Sequence, residues 1–193
     1  MSTRVVIAED EAIIRLDLKE TLQEEGYDVV GETGRGDEAV ALVKELAPDL
    51  AILDIKMPGL DGLSAARQIS EDRRAAVLIL TAFSQRDLIE QARDAGALAY
   101  LVKPFQRSEL IPAVEVALGR LREMQALADQ NSSLEDQLET RKVVDRAKGM
   151  LMDGHGLSEA EAFSWVQKRA MQDRRTMRAV AEDVISGALA PEG

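Results

Sequence analysis

Hydrophobic positions along the first 118 residues follow two alternating periods. Short apolar runs at Val5–Ala8, Tyr27–Glu32, Leu50–Asp54, Val77–Thr81 and Ala99–Val102 are each bounded by turn-forming or charged residues. That pattern predicts strands buried on both faces of a parallel sheet. Between the runs the apolar spacing lengthens to that of a helix. Ile13, Ile14, Leu18, Thr21 and Leu22 line one face of the first helix, which stops at Gly26. Ala39, Val40, Val43, Leu46 and Ala47 line the second, which stops before Pro48. A third helix covers about 63–70. A fourth opens on the capping sequence Ser84-Gln85-Arg86-Asp87 and ends at Gly96. A fifth opens near Ser108, with Pro112 close to its first turn. Five strand-then-helix units predict a doubly wound (βα)5 fold of class α/β, a five-stranded parallel sheet with helices on both faces.

The fifth helical pattern does not stop at the end of that domain. From Ala113 to Met152 there is no proline, and apolar or small residues recur at Val114, Ala117, Leu121, Met124, Leu127, Asn131, Leu134 and Leu138. The spacing is heptad-like with one short step, and Asn131 on the seam could fix register. Two readings stay open: a coiled coil between two chains, or one long helix packing on its own C-terminal module. The helix is expected to break at Asp153-Gly154-His155-Gly156. Ser158-Glu159-Ala160-Glu161 then forms a capping box for a second helix, and Thr176 caps a third ending near Ser186. The predicted core of this three-helix all-α module is Val143, Val144, Ala147, Leu151, Leu157, Ala162, Phe163, Val166, Ala170, Val180, Ala181, Val184 and Ile185. Gly149 inside a helix implies a packing or close-approach reason, because glycine there costs about 1 kcal/mol relative to alanine.

Composition narrows the chemistry. The chain has no cysteine and one histidine, His155, which excludes thiolate and multi-histidine metal sites within one chain. Its N-terminus is too short and too acidic for a signal peptide, and no apolar run approaches a membrane span. A cytoplasmic protein without membrane contact is the expectation. The net charge of −11 is unevenly spread. Residues 1–118 hold 13 Lys/Arg against 22 Asp/Glu, whereas residues 140–180 hold 9 against 5. The acidic part argues against nucleic-acid contact there, and the local basic excess permits it near the C-terminus.

In a doubly wound sheet, ligands sit at the C-terminal ends of the strands near the switch in strand order. Glu9 and Asp10 end the first strand and Asp54 ends the third. Three carboxylates gathered there repel one another, and a bound divalent cation removes that penalty. With neither His nor Cys nearby the donors are all oxygen, which favours Mg²⁺. Thr81, ending the fourth strand, offers a hydroxyl, and Lys103, after the fifth, offers a mobile cation. Together these groups suit phosphoryl transfer onto an aspartate oxygen.

Residues 4–118 resemble the receiver domain of two-component response regulators. The likeness rests on Ile7-Ala8-Glu9-Asp10-Glu11, the stretch from Asp54 to Gly62, Leu80-Thr81-Ala82 and Tyr100-Leu101-Val102-Lys103-Pro104-Phe105. The resemblance implies a flavodoxin-like receiver whose Asp54 accepts phosphate from a sensor histidine kinase. It implies Mg²⁺ on Glu9, Asp10, Asp54 and the Lys56 backbone carbonyl, Thr81 and Lys103 on the phosphoryl group, Tyr100 as the aromatic switch, and a cis bond before Pro104. Glu9 stands where most receivers carry aspartate. The receiver would assist its own Mg²⁺-dependent phosphorylation and dephosphorylation without being an enzyme in the usual sense.

Basic residues of the C-terminal module come from three places: Arg141, Lys142, Arg146 and Lys148; Lys168 and Arg169; Arg174 and Arg175. The third helix carries only Arg178 internally, which fits poorly with a recognition helix for DNA. A spread of cations suits the phosphates of a folded RNA. Trp165 reads as partly packed rather than free to stack on a base. Residues 134–186 resemble the ANTAR module of AmiR- and NasR-type antiterminators, through Arg141 to Met152, Leu157 to Phe163 and Met177 to Ile185. The expected organisation is a receiver at 1–118, a helical coiled-coil linker at 119–133 and an ANTAR RNA-binding domain at 134–193. The resemblance implies binding of paired RNA stem-loops with six-nucleotide loops, transcription antitermination, and a homodimer promoted by phosphorylation. A DNA-binding regulator and a protein-docking output remain as alternatives.

Overall fold

The computed structural model describes residues 2–71, 74–82 and 86–191. Its elements run β1 (Arg4–Ala8), α1 (Ala12–Glu24), β2 (Asp28–Thr33), α2 (Gly36–Leu46), β3 (Leu50–Asp54), α3 (Gly62–Glu71), β4 (Ala76–Thr81), α4 (Arg86–Asp94), β5 (Ala99–Val102), α5 (Arg107–His155), α6 (Glu159–Asp173) and α7 (Met177–Ser186). The capping residues expected at Ser84 and Gln85 lie outside the described residues. The chain forms two compact units, Met1–Ala126 and Leu127–Gly193, and α5 contributes to both.

In the first unit the strands form one parallel sheet in the order β2-β1-β3-β4-β5. β3 and β4 are buried at every residue, whereas β2 and β5 at the edges are mostly half-buried. Alternate residues of the central strands therefore feed two cores. Val5, Ile7, Leu50, Ile52, Leu78 and Leu80 pack with Leu18 and Leu22 of α1 and with Leu110, Val114, Ala117 and Leu121 of α5. Ala8, Ala51, Leu53, Val77 and Ile79 pack with α2, α3 and α4. Burial of both faces explains why the central strands read as unbroken apolar runs.

Ile13 does not join the core; it is 85% exposed. At 100° per residue it lies half a turn round the helix from Leu22, whose side chain is fully buried. The first three positions of the heptad-like seam, Val114, Ala117 and Leu121, are buried against the sheet. Beyond them Met124, Leu127, Leu134 and Leu138 are exposed, as is Asn131. The seam thus serves the receiver core at its start and is uncovered after it.

In the second unit the final turns of α5 pack with α6 and α7 around Val144, Ala147, Leu151, Ala162, Val166, Ala170, Val180, Ala181 and Val184. The Ser158 hydroxyl accepts from Glu161 N, and the Glu161 carboxylate accepts from Ser158 N at 2.8 Å, completing the capping box. Thr176 caps α7 by accepting from Ala179 N. The helix breaks within the stretch that the sequence marks: α5 runs to His155, and Gly156, at φ 67°, makes the turn. Two sequence expectations fail here. A Cβ on Gly149 would meet nothing within 4 Å, so no packing within the chain requires that glycine. Phe163 is 43% exposed rather than in the core, where Trp165 and Met177 pack instead. Phe163 directly follows the fully buried Ala162, and that one-residue step turns it 100° away from the packed face.

Candidate functional site

The sheet order reverses between β1 and β3, so the C-terminal ends of these strands flank a crevice. Their register pairs Ala8 with Leu53, which sets Glu9 and Asp10 beside Asp54. Ligand oxygens of the three carboxylates lie within 4.8 Å of one another. Glu9 is fully buried and Asp54 is 6% exposed, while Asp10 faces solvent. Lys103 reaches in from the turn after β5, its Nζ 2.6 Å from Glu9 Oε2 and 3.0 Å from Asp54 Oδ1. The peptide bond from Lys103 to Pro104 is cis, as the sequence likeness implies.

The electrostatics follow from burial. Enclosure pushes the Glu9 carboxyl up from its ordinary pKa, and the Asp54 charge adds to this, against the close Lys103 ammonium and the hydrogen bond from the Glu11 amide. Burial alone would pull Lys103 down, but the two carboxylates more than offset it and hold the ammonium above the usual lysine range. Glu9 Oε1 accepts from Glu11 N at 3.1 Å. Glu9 Oε2 makes no well-formed hydrogen bond despite the close ammonium, so one buried oxygen keeps unused acceptor capacity. That spare oxygen and the all-oxygen donor set fit a hard divalent cation such as Mg²⁺.

The same strand ends position the remaining groups. Thr81 is 3% exposed at the end of β4, and its carbonyl accepts from Lys103 N at 2.8 Å, joining the backbones of the two residues. Lys56 N donates to Asp54 Oδ2 at 3.2 Å. Tyr100 lies on β5, paired with Ile79 and 44% exposed, outside the carboxylate cluster. Two contributors were missed in the sequence. The Arg15 guanidinium donates to the Glu9 carbonyl, holding the end of β1 from α1. Gly62 opens α3 against β3, where a Cβ would fall 1.9 Å from the Asp54 carbonyl oxygen. The Asp61-Gly62 pair is a turn signal, but nothing in the sequence shows what the glycine approaches.

In the second unit the eight basic residues singled out from the sequence separate into classes. Lys142 pairs with Glu139, Arg169 with Asp173 and Arg175 with Asp183, at 2.6–2.8 Å. The Lys148 side chain is only 14% exposed and bridges Asp145 on α5 to Glu159 on α6, at 2.8 and 2.9 Å. Arg141 is 81% exposed, with Asp145 3.9 Å away. Arg146, Lys168 and Arg174 are exposed or at an exposed turn and make no ion pair among the described residues. Arg174 adopts the left-handed conformation, φ 52°, at the end of α6. No helix among the described residues is long and apolar enough to cross a membrane.

Comparison with known proteins places this geometry. Residues 5–115 match the response regulator receiver domain, and residues 132–185 match the ANTAR domain. Over 182 residues, 94% of this chain and 89% of the relative, the sequence is 58% identical to the transcriptional regulatory protein PdtaR of Mycobacterium tuberculosis. It is 39% identical to the chemotaxis protein CheY of Thermotoga maritima, across 59% of this chain and 96% of that one. The receiver domain of the response regulator NarL from M. tuberculosis superposes with a TM-score of 0.59 at 32% identity, covering 61% of this chain and 97% of that one. A Borrelia burgdorferi CheX–CheY complex with BeF3 and Mg gives 0.56 at 29% identity, over 58% and 86%. The five-stranded sheet with its acidic crevice is accordingly a receiver domain, and the chain belongs to the two-component response regulators that carry an ANTAR, RNA-binding output.

Proposed function

We propose that Asp54 accepts a phosphoryl group from a sensor histidine kinase in the cytoplasm and that the ANTAR module responds by binding paired RNA stem-loops and preventing transcription termination. The observation that carries the first half is the cluster of Glu9, Asp10 and Asp54, two of them buried, with Lys103 bridging the buried pair. In the transfer, the bond from phosphorus to the donor nitrogen breaks as an Asp54 oxygen bonds to phosphorus. Glu9, Asp10, Asp54 and the Lys56 carbonyl would hold Mg²⁺, which when bound offsets the charge of the incoming phosphate. Lys103 turns from the carboxylates to the phosphoryl oxygens, and the Thr81 hydroxyl donates to them. Drawing Thr81 inward frees space beside β5 that Tyr100, half-exposed beforehand, moves to fill. That changes the face formed by α4, β5 and α5.

The exposed continuation of the seam at Leu127, Leu134 and Leu138 supports a homodimer promoted by phosphorylation. For RNA, the exposed cations Arg141, Arg146, Lys168 and Arg174 are the candidate phosphate ligands. Lys148, held by two carboxylates, braces α6 against α5 instead. Incubation with acetyl phosphate and Mg²⁺ should add one phosphoryl group by mass spectrometry, and Asp54→Asn should abolish it. Labelling that persists in that variant would move the acceptor elsewhere. Tighter binding of duplex DNA than of hairpin RNA would reject the proposed output.

A further inference from the structure

A groove of about 790 Å³, open to solvent, lies in the second unit along α5 beside α6 and α7. One helical face of α5 forms its floor, from Asp129 through Ser133, Asp136, Gln137 and Thr140 to Val144. Phe163 from α6 and Met177 from α7 form its apolar wall. An aromatic ring left 43% exposed beside a cavity of that size is a stacking surface without an occupant in the chain.

Charge along the groove is ordered. Near Phe163, Arg141 and Lys148 line it together with Asp145, which both cations approach. Asp129 and Asp136 lie further along α5 and make no ion pair among the described residues. Asp136 and Asp145 are nine residues apart, roughly 13 Å along the axis. The acidic stretch repels phosphate and offers acceptors to exocyclic amino groups, while the hydroxyls and the Gln137 amide add donors. The Arg141 end attracts phosphate. A nucleotide entering this groove is therefore oriented, base inward and backbone towards Arg141. A basic peptide would satisfy Asp129 and Asp136 but would meet Arg141 and leave Phe163 without a planar partner.

We infer that this groove captures one unpaired base from an RNA hairpin loop, stacked on Phe163 with its backbone held by Arg141. This rests on the RNA-binding reading of the module and adds the place and manner of recognition. Phe163 would be a specificity-determining contact, because only a base free of pairing presents both faces and an edge.

The test uses the full chain and one probe, an RNA of two hairpins with six-nucleotide loops recovered from a randomised-loop pool on the wild-type protein. Phe163→Leu keeps an apolar side chain at an exposed site, so its melting temperature should match the wild type. Its RNA affinity should fall about five- to hundredfold, and Phe163→Trp should restore it. Met171→Ala, at an exposed site outside the groove, should bind as the wild type does. Replacing loop bases one at a time with abasic sites should identify one position whose loss weakens wild-type binding but adds nothing in Phe163→Leu. Wild-type affinity in Phe163→Leu, or an abasic penalty unchanged in that variant, would overturn the base-capture proposal and leave RNA binding standing. A pool from which the wild-type chain recovers no RNA would overturn the RNA reading as well.

Discussion

At the scale of single residues, Asp54, the proposed phosphoacceptor, is held from behind by backbone. Gly62 N donates to the Ile55 carbonyl at 2.8 Å, and the missing Cβ leaves room for the Asp54 carbonyl. An added methyl would lie 1.9 Å from that oxygen and 3.0 Å from Ile55 Cα, atoms that yield only if the end of β3 shifts. Gly62→Ala should therefore destabilise the receiver by about 1–3 kcal/mol and slow acetyl-phosphate labelling of Asp54, read by denaturation and by mass spectrometry. Labelling at the wild-type rate would show that the strand end does not need the close approach. A second residue reports on pH. Tyr27 Oη donates to Glu115 Oε1 at 2.5 Å, and burial, with the nearby Glu115 and Glu25 charges, pushes the phenol from 10.0 up to about 12. Because the folded value is the higher one, this contribution to stability is complete below pH 10 and is lost as pH rises towards 12. An ultraviolet titration of the chain's two tyrosines should show one late step, absent in Tyr27→Phe. The wild type should also lose its stability margin over that variant across this window.

At the scale of elements, the sequence was most legible where one residue type has one physical use. The central strands were plain because both faces are buried, and the caps at Ser158 and Thr176 were plain because their oxygens satisfy backbone amides at helix starts. The carboxylate cluster was legible for a related reason: acidic residues closing buried strands have few other uses. Legibility failed where a side chain's role depends on what lies across from it. Ile13 and Phe163 fit the apolar stripes of α1 and α6 by type, yet Ile13 falls opposite Leu22 and Phe163 one step past Ala162, and both emerge exposed. Arg15 carries no sign in the sequence that it reaches the Glu9 carbonyl. The seam of α5 reads in sequence as one repeat, although its beginning answers to the sheet and its continuation does not. Gly149 reads as structurally required, but open space surrounds its missing Cβ. Gly149→Ala should then stabilise the helix by about 1 kcal/mol, measured as a higher melting temperature. A lower one would expose a packing requirement that the geometry does not contain.

At the scale of the whole molecule, the two units differ in what holds them together. The receiver buries Leu and Ile in quantity on both sides of its sheet, with Leu78 and Ile52 fully enclosed. The core of the ANTAR unit is smaller and made largely of Ala and Val, with Leu151 as its one buried leucine among the described residues. A unit of that size has little apolar area to set against chain entropy. Calorimetry of the full chain should accordingly show two transitions, the lower belonging to the ANTAR unit. Leu151→Ala, which removes the largest side chain of that core at about 2–5 kcal/mol, should lower the first transition and leave the second in place. Leu78→Ala should do the reverse. Ligands sort the transitions independently of mutation: a recovered hairpin RNA should raise the lower transition, and Mg²⁺ should raise the upper one, because each stabilises only the unit that binds it. One transition shifted equally by both variants would mean that α5 joins the cores into a single cooperative structure. A phosphoryl signal at Asp54 would then reach the RNA-binding unit through shared stability rather than through a changed receiver face.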